Sequence, residues 1–183
     1  MASEFQFFIL SSLNIIIAVI GVLFVIITIY EFWSLRILRR DINKLKSSIK
    51  NDAYKTQRAS QRIAASYAIP DIDKQIKIVS EAIDIDPYVF NGYNTLGYAY
   101  LTKGHTEKAI EAFREAIYIH PKEKNGYFDL AYAYQEVNDL DLSIKYLQKA
   151  IKVDPTSKTD LINNEGPPFD KLKKDVRYKE LLN

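Results

Sequence analysis

The sequence predicts an all-α protein, in which a membrane-spanning N-terminal helix continues into a helical stalk and then a short α-solenoid with a C-terminal capping helix. Three observations lead to this prediction. Residues 5–30 carry no charge, residues 23–68 contain no glycine or proline, and a tyrosine-rich phrase that begins at Gly92 returns 34 residues later at Gly126. A repeat of this length is typical of stacked helix pairs.

The uncharged segment predicts a transmembrane helix over residues 5–30. Its 26 residues exceed the hydrocarbon core of a bilayer, which a helix of about 20 residues crosses. A cleaved signal peptide is the alternative, but the basic start and the small-residue cleavage site of such peptides are missing. We therefore expect a retained anchor.

Basic residues follow the anchor on one side only. Residues 34–66 contain nine Lys or Arg and two acids, whereas residues 2–4 contain no Lys or Arg. The positive-inside rule then predicts an N-terminus outside the cell membrane and the rest of the chain in the cytoplasm. These residues either act as a topology signal alone or also bind anionic lipid. The predicted membrane-surface residues are Arg36, Arg39, Arg40, Lys44, Lys46 and Lys50.

Small and polar residues within the anchor recur at helical spacing. They predict a packing face for a second membrane helix, because close approach and interhelical hydrogen bonds need such side chains. The partner would be a second copy or another subunit; alternatively, these residues are only the ones common in membrane helices. The stripe consists of Ser11, Asn14, Ala18, Gly21, Val25 and Thr28.

Residues 31–67 are predicted to form a basic helical stalk. An apolar stripe at alternating spacings of 3 and 4 gives a possible short coiled coil and thus a possible homo-oligomer. If helical throughout, the stalk is roughly 50 Å long. The stripe consists of Leu35, Leu38, Ile42, Leu45 and Ile49.

The repeated phrase pairs equivalent residues over its whole length. Tyr93 pairs with Tyr127, Gly97 with Ala131, and the pattern then continues to Pro121 and Pro155. This pattern of aromatic, Leu, Gly or Ala, Tyr, Ala, Phe, Ala and Pro resembles the tetratricopeptide repeat. The resemblance implies helix pairs at residues 90–123 and 124–157.

The neighbouring segments resemble the family less closely. Residues 56–89 are interpreted as a degenerate repeat whose first helix merges with the stalk, since Ala82, Ile83 and Pro87 keep the repeat spacing. Residues 158–183 are expected to form a C-terminal capping segment, which a solenoid needs to cover its last repeat. The whole resembles N-terminally anchored bacterial proteins of this family.

The resemblance implies a concave groove that binds a peptide. A second stripe on the first helix of each repeat would line it, and its aromatic and amide groups suit peptide recognition. Alternatively, the stalk, the terminal segment or a neighbouring molecule fills the groove, or the rings extend the core. Lys is missing from the positions at which related proteins clamp a C-terminal carboxylate. The stripe consists of Asn91, Asn94, Tyr98, Leu101, Asn125, Phe128, Tyr132 and Gln135.

Enzymatic function is not expected. The chain has no cysteine and no glycine-rich phosphate loop, and His105 and His120, its two histidines, are predicted to be surface residues without metal-ligand spacing. We predict no catalytic residue, no metal, no cofactor and no nucleic-acid partner.

The predicted function is a membrane-anchored adaptor that holds a protein partner at the cytoplasmic face. The alternative is an accessory subunit of a larger membrane complex, assembled through its transmembrane helix. A protein similar to mitochondrial import receptors is a third and more distant interpretation.

Overall fold

A computed structural model describes residues 2–182, except for the side chains of residues 2–5 and 8. The described residues form eight α-helices and one 3₁₀ turn, with no strand among them, which confirms the all-α prediction. The chain forms two compact units, and the boundary between them follows Asp52. Phe5, the first residue of the predicted anchor, has its side chain outside the described part.

The first unit consists of the N-terminal part of helix α1, which spans Ala2–Ser66. Large apolar side chains from Leu10 to Trp33 are exposed on every side of it. This is the one helix of the described residues that is long and apolar enough to cross a membrane. In water, so large an exposed apolar surface would favour association.

The second unit begins with the last turns of α1 and with α2, which spans Ile72–Ile85. Ala59 and Ile63 of α1 form a buried cluster with Val79 and Ala82 of α2. The side chain of Asp71 accepts hydrogen bonds from the first turn of α2 and so caps the helix.

Two helix pairs follow in the order that the repeat predicts. Helices α3 (Gly92–Thr102) and α4 (Thr106–Ile119) form the first pair. Helices α5 (Lys124–Glu136) and α6 (Leu140–Val153) form the second. The turn of each pair contains a residue with positive φ at the same repeat position, Gly104 at 78° and Asn138 at 62°. Glycine and asparagine tolerate this conformation best, which explains these residue types.

Small residues let the two helices of each pair approach closely. Gly97 of α3 faces the ring of Phe113 on α4, and a Cβ atom added at Gly97 would lie 2.6 Å from Cζ of that ring. In the second pair the equivalent residues are Ala131 and Leu147, both fully buried. The first pair thus combines glycine with the large ring of Phe113, and the second pair combines the larger Ala131 with the smaller Leu147.

The C-terminal region covers the end of the stack. It contains α7 (Thr156–Asn163), a 3₁₀ turn (Asp170–Leu172) and α8 (Val176–Leu182). Leu161, Leu172 and Tyr178 are buried in one cluster with apolar residues of α5 and α6. The apolar face of the last helix pair is therefore not left open to solvent.

Candidate partner-binding groove

A cavity of about 650 Å³ lies on one face of the second unit, which we call the open groove. Side chains of α3 and α5 form much of its wall, and further wall residues come from the end of α1, α2, α7 and the segment after α7. The described residues that line it include Tyr67, Gln75, Asn91, Asn94, Tyr98, Lys124, Asn125, Phe128, Asp129, Asp160, Glu165 and Pro167.

A buried carboxylate is the most unusual group in the open groove. Asp129 of α5 is only 6% exposed. Its Oδ1 accepts a hydrogen bond from the Tyr98 hydroxyl at 2.5 Å. Its Oδ2 accepts one from the Asn94 amide. The two neutral donors come from α3, so the carboxylate joins the two repeats.

Burial raises the pKa values of Asp129 and Tyr98. Because desolvation disfavours the charged carboxylate, it raises the pKa of Asp129 to about 6, while the hydrogen bonds from Tyr98 and Asn94 oppose the rise. Burial, with the negative charge of Asp129, also raises the pKa of the Tyr98 hydroxyl, which therefore stays a donor. Strongly perturbed carboxyl groups in a cleft are candidate functional groups.

The remaining charges of the open groove are mostly negative. Lys124 is the one cation among its described wall residues. Its ammonium group lies 2.6 Å from Asp160 and 3.5 Å from Asp154, so two carboxylates compensate its charge. Asp160 and Glu165 also line the cavity. The described wall of the open groove therefore has more acidic than basic residues.

The segment at residues 164–172, which we call the C-terminal strap, covers part of the second repeat. The Phe169 ring is buried, with its centroid 6.3 Å from that of Phe128 and 6.5 Å from that of Tyr132. Gln135 donates from Nε2 to the Pro168 carbonyl at 2.9 Å. Its Oε1 accepts the backbone N–H of Lys171 at 3.1 Å.

The strap limits which predicted groove residues a partner could reach. Gln135 is 2% exposed and Phe128 is 4% exposed. Gln135 is therefore not a free partner-contact residue, since the strap occupies both ends of its amide. In this part of the groove the C-terminal strap fills the space, which is one of the alternatives that the sequence leaves open.

The other predicted groove residues lie in two places. Asn91, Asn94, Tyr98 and Asn125 line the open groove together with the buried Phe128. A smaller cavity of about 360 Å³ is lined by Leu101 and Tyr132, with Tyr98 shared between the two cavities. The structure thus brings most of the stripe together, and partner binding by it stays a prediction.

The residues predicted for the membrane lie in the first unit. The described side chains of the proposed packing face are exposed or half-buried, and Thr28 donates its hydroxyl to the Val25 carbonyl of its own helix at 2.9 Å. The six basic residues are exposed, and Arg36 lies over the Trp33 ring at 5.9 Å. Helix packing and lipid binding by these residues stay predictions.

The histidines differ from each other. His105 is exposed, as predicted. His120 is half-buried against the Phe90 ring, and its Nε2 atom is buried without a hydrogen-bond partner among the described residues. The surface prediction is wrong for His120, because the turn after α4 folds back onto the residues before α3.

Asp129 is a groove residue that the stripe analysis does not predict, as are Lys124 and Asp160. Asp129 is equivalent to Thr95 in the repeat, between the packing stripe and the groove stripe. A signal was present nonetheless: the acid stands between Phe128 and Leu130 in the middle of a helix with few charges. Acidic residues are rarely buried without a partner or a function.

Replacement of Gln135 by alanine should loosen the C-terminal strap. The variant loses both side-chain hydrogen bonds to the strap, and we expect the free energy of unfolding to fall by about 1 to 2 kcal/mol. Amide exchange should accelerate at Lys171, whose N–H then lacks its acceptor. Unchanged exchange at this amide would show that other contacts hold the strap, among them the buried Phe169 ring and the Lys171 ammonium group, which donates to the Gln135 carbonyl.

Comparisons with known proteins agree with this architecture. Residues 90–123 and 125–157 match the tetratricopeptide repeat family. The small glutamine-rich tetratricopeptide repeat-containing protein 2 of Saccharomyces cerevisiae is 35% identical over 68 residues, which cover 37% of this chain and 20% of that protein. The chain thus spans about a fifth of this curated relative.

Solved structures show the same fold. A crystal structure of MamA protein is similar with a TM-score of 0.50 and 25% identity, over 57% of each chain. The first such domain of Spaghetti (RPAP3), bound to the HSP90 peptide SRMEEVD, has a TM-score of 0.51 and 13% identity, over 70% of this chain and 88% of that one.

Stacked antiparallel helix pairs with a concave face define the class of helical-repeat solenoids. Within this class, the close approach at Gly97 and Ala131 and the matched 34-residue period identify the repeat. The chain thus contains two segments, residues 90–123 and 125–157, that match the tetratricopeptide repeat.

Proposed function

We propose that this protein is a single-pass, membrane-anchored adaptor that binds a protein partner in the open groove and holds it at the cytoplasmic face of the membrane. The observation that carries the proposal is the open groove itself, a cavity of about 650 Å³ with aromatic, amide and carboxylate groups in its wall. No catalytic role is part of the proposal.

The chemistry of the open groove supports a peptide as the bound group. Tyr98 is 39% exposed and offers an aromatic surface beside the buried carboxylate. Asn125 is exposed at the groove, where its amide could pair with a peptide backbone. Aromatic side chains supply contact area at low entropy cost, and polar groups fix the orientation of the ligand.

The exposed apolar part of α1 supports the anchor. Its large apolar side chains need either lipid or another protein around them. The basic residues that follow support a cytoplasmic second unit by the positive-inside rule. They would also lie near anionic headgroups, where each basic residue adds about 1 kcal/mol of attraction.

The alternative function is an accessory subunit that assembles through its transmembrane helix. The small-residue stripe favours this alternative, because an added Cβ at Gly21 would meet no atom within 4 Å and the backbone is open to a neighbouring helix. A second copy of the chain could use the same face, with the apolar stripe of the stalk as a further contact.

Replacement of Asn125 by tryptophan tests the adaptor function. The large ring should obstruct the open groove, and we expect recovery of the partner from mild-detergent extracts to fall at least ten-fold by quantitative mass spectrometry. Lys122→Trp is the matched control, since Lys122 is exposed just before α5 and does not line the cavity.

The same extraction distinguishes the alternative. Ala18→Leu combined with Gly21→Leu should leave the partner bound if the open groove makes the contact. If the anchor variant instead loses the partner while Asn125→Trp retains it, the accessory-subunit function is correct and the adaptor function fails.

Topology has its own test. A C-terminal tag in the cytoplasm should be protected from added protease in intact cells and digested only after the membrane is permeabilised. The chain should also resist extraction by alkaline carbonate. Digestion of the tag on intact cells would contradict the cytoplasmic location.

A further inference from the structure

We propose that the open groove selects a basic segment of its protein partner, with a lysine or arginine side chain of that segment paired to Asp129. This inference rests on the proposed function and adds the chemistry of the partner. The observation behind it is a buried carboxylate that lines a cavity and has no ion pair among the described residues.

The carboxylate of Asp129 has acceptor capacity left. Each oxygen takes one hydrogen bond within the protein, Oδ1 from Tyr98 and Oδ2 from Asn94. An ionised carboxylate offers about four acceptor positions, so about two are not used by hydrogen bonds within the described protein. A guanidinium or ammonium group supplies the donors and the opposite charge that this position lacks.

Among the described residues of the groove wall, the one cation is paired with other groups. Lys124, the cation in the groove wall, is paired with Asp160 and Asp154 and donates a further hydrogen bond to Thr156 at 2.7 Å. The side-chain hydrogen bond to Asp160, which favours the charged form, raises the pKa of Lys124. Its charge therefore serves the packing of α5 against α7 rather than Asp129.

The surroundings of Asp129 also favour a cation. Asp160 and Glu165 add negative charge to the wall, and the half-exposed ring of Tyr98 can contact the stem of a long basic side chain. A cation beside an aromatic ring and a partly desolvated carboxylate is held more strongly than one on an open surface.

The same charges disfavour an acidic ligand. A peptide such as SRMEEVD, which the RPAP3 domain holds, carries two glutamates and an aspartate against a single arginine, so acidic side chains dominate it. Like charges next to the buried Asp129 would add Coulombic repulsion to the cost of its burial. We expect this chain to reject that peptide although the folds are similar.

The test begins with a selection of random 12-residue peptides on the full-length chain in detergent micelles. Bound peptides should be enriched in lysine and arginine, and Asn125→Trp should abolish their binding. The most enriched peptide is then labelled and titrated by fluorescence anisotropy against the wild type and Asp129→Asn, which keeps the shape of the side chain. The affinity should fall at least ten-fold, and SRMEEVD should not compete.

Each outcome has a defined meaning. Glu107→Gln, which removes an exposed acid of α4 outside the cavity, is the control and should change the affinity less than two-fold. Groove-dependent peptides that are acidic or neutral, or that bind Asp129→Asn as well as the wild type, would overturn this inference and leave the adaptor function standing. If the selection gives no groove-dependent peptide, both fail.

Discussion

Replacement of Gly97 by alanine should destabilise the second unit by about 2 kcal/mol, because overpacking of a well-filled core costs about 1 to 3 kcal/mol or more. The added methyl group would lie 2.6 Å from Cζ of Phe113, a residue that is fully buried and has little room to move. Alanine is favoured over glycine in a helix by about 1 kcal/mol, which offsets only part of the loss.

The second repeat suggests how to reverse this effect. It has Ala131 and Leu147 where the first repeat has Gly97 and Phe113, so the chain already contains the compensated pair. Gly97→Ala combined with Phe113→Leu should therefore recover most of the stability. In the double-mutant cycle we expect a favourable coupling of about 1 to 2 kcal/mol, as for residues in direct contact.

Urea unfolding of the full-length chain in a non-ionic detergent, followed by circular dichroism, measures these changes. Gly126→Ala is the matched control for helix propensity, since an added Cβ there would lie 3.0 Å from Cγ1 of Ile117, a less crowded position than the one beside Phe113. It should cost less than Gly97→Ala. Equal losses at the two glycines would show that Phe113 is not the cause, and so would additive effects in the cycle.

The architecture could be predicted from the sequence because it depends on local periodicity. The 34-residue spacing predicts helix pairs, and the uncharged N-terminal segment predicts one long helix; the structure has both. The close approach at Gly97 also follows from the repeat, although its contact is the ring of Phe113 rather than backbone alone.

The candidate site could be predicted only in part because it depends on contacts between distant segments. The pattern of one helix cannot show that Gln135 is held by Pro168 and Lys171, more than 30 residues later. Asp129 could not be predicted for the same reason: its donors lie on the preceding repeat, and its position in the helix falls outside both stripes.

Replacement of Asp129 by asparagine should raise the stability of the protein at neutral pH. Burial holds the pKa of this carboxyl at about 6, above the value of 3.8 for a solvated one. A difference of about 2 pKa units corresponds to a cost of up to about 3 kcal/mol for the ionised form. We expect Asp129→Asn to recover about 1 to 3 kcal/mol at pH 7.5, since the neutral amide avoids this cost.

The pH dependence gives a sharper form of this prediction. A carboxyl whose pKa is raised by folding binds more protons in the native state between about pH 4 and pH 6, so the wild type gains stability as the pH falls through this range. Asp129→Asn lacks this gain, and the difference between the two proteins should shrink from pH 7.5 to pH 5. The other charged or titratable groups that line the same cavity are Tyr67 after α1, Tyr98 on α3, Lys124 on α5, Asp160 on α7 and Glu165 after it.

These groups are present in both proteins, so the difference between their unfolding curves isolates Asp129. Glu107→Gln, which replaces an exposed acid of α4 outside the cavity, is the control for the loss of one carboxylate. A less stable Asp129→Asn variant at pH 7.5 would mean that the hydrogen bonds from Tyr98 and Asn94 outweigh the cost of burial. If the variant is more stable and also loses the basic peptide, the fold retains a destabilising carboxylate because the ligand needs its charge.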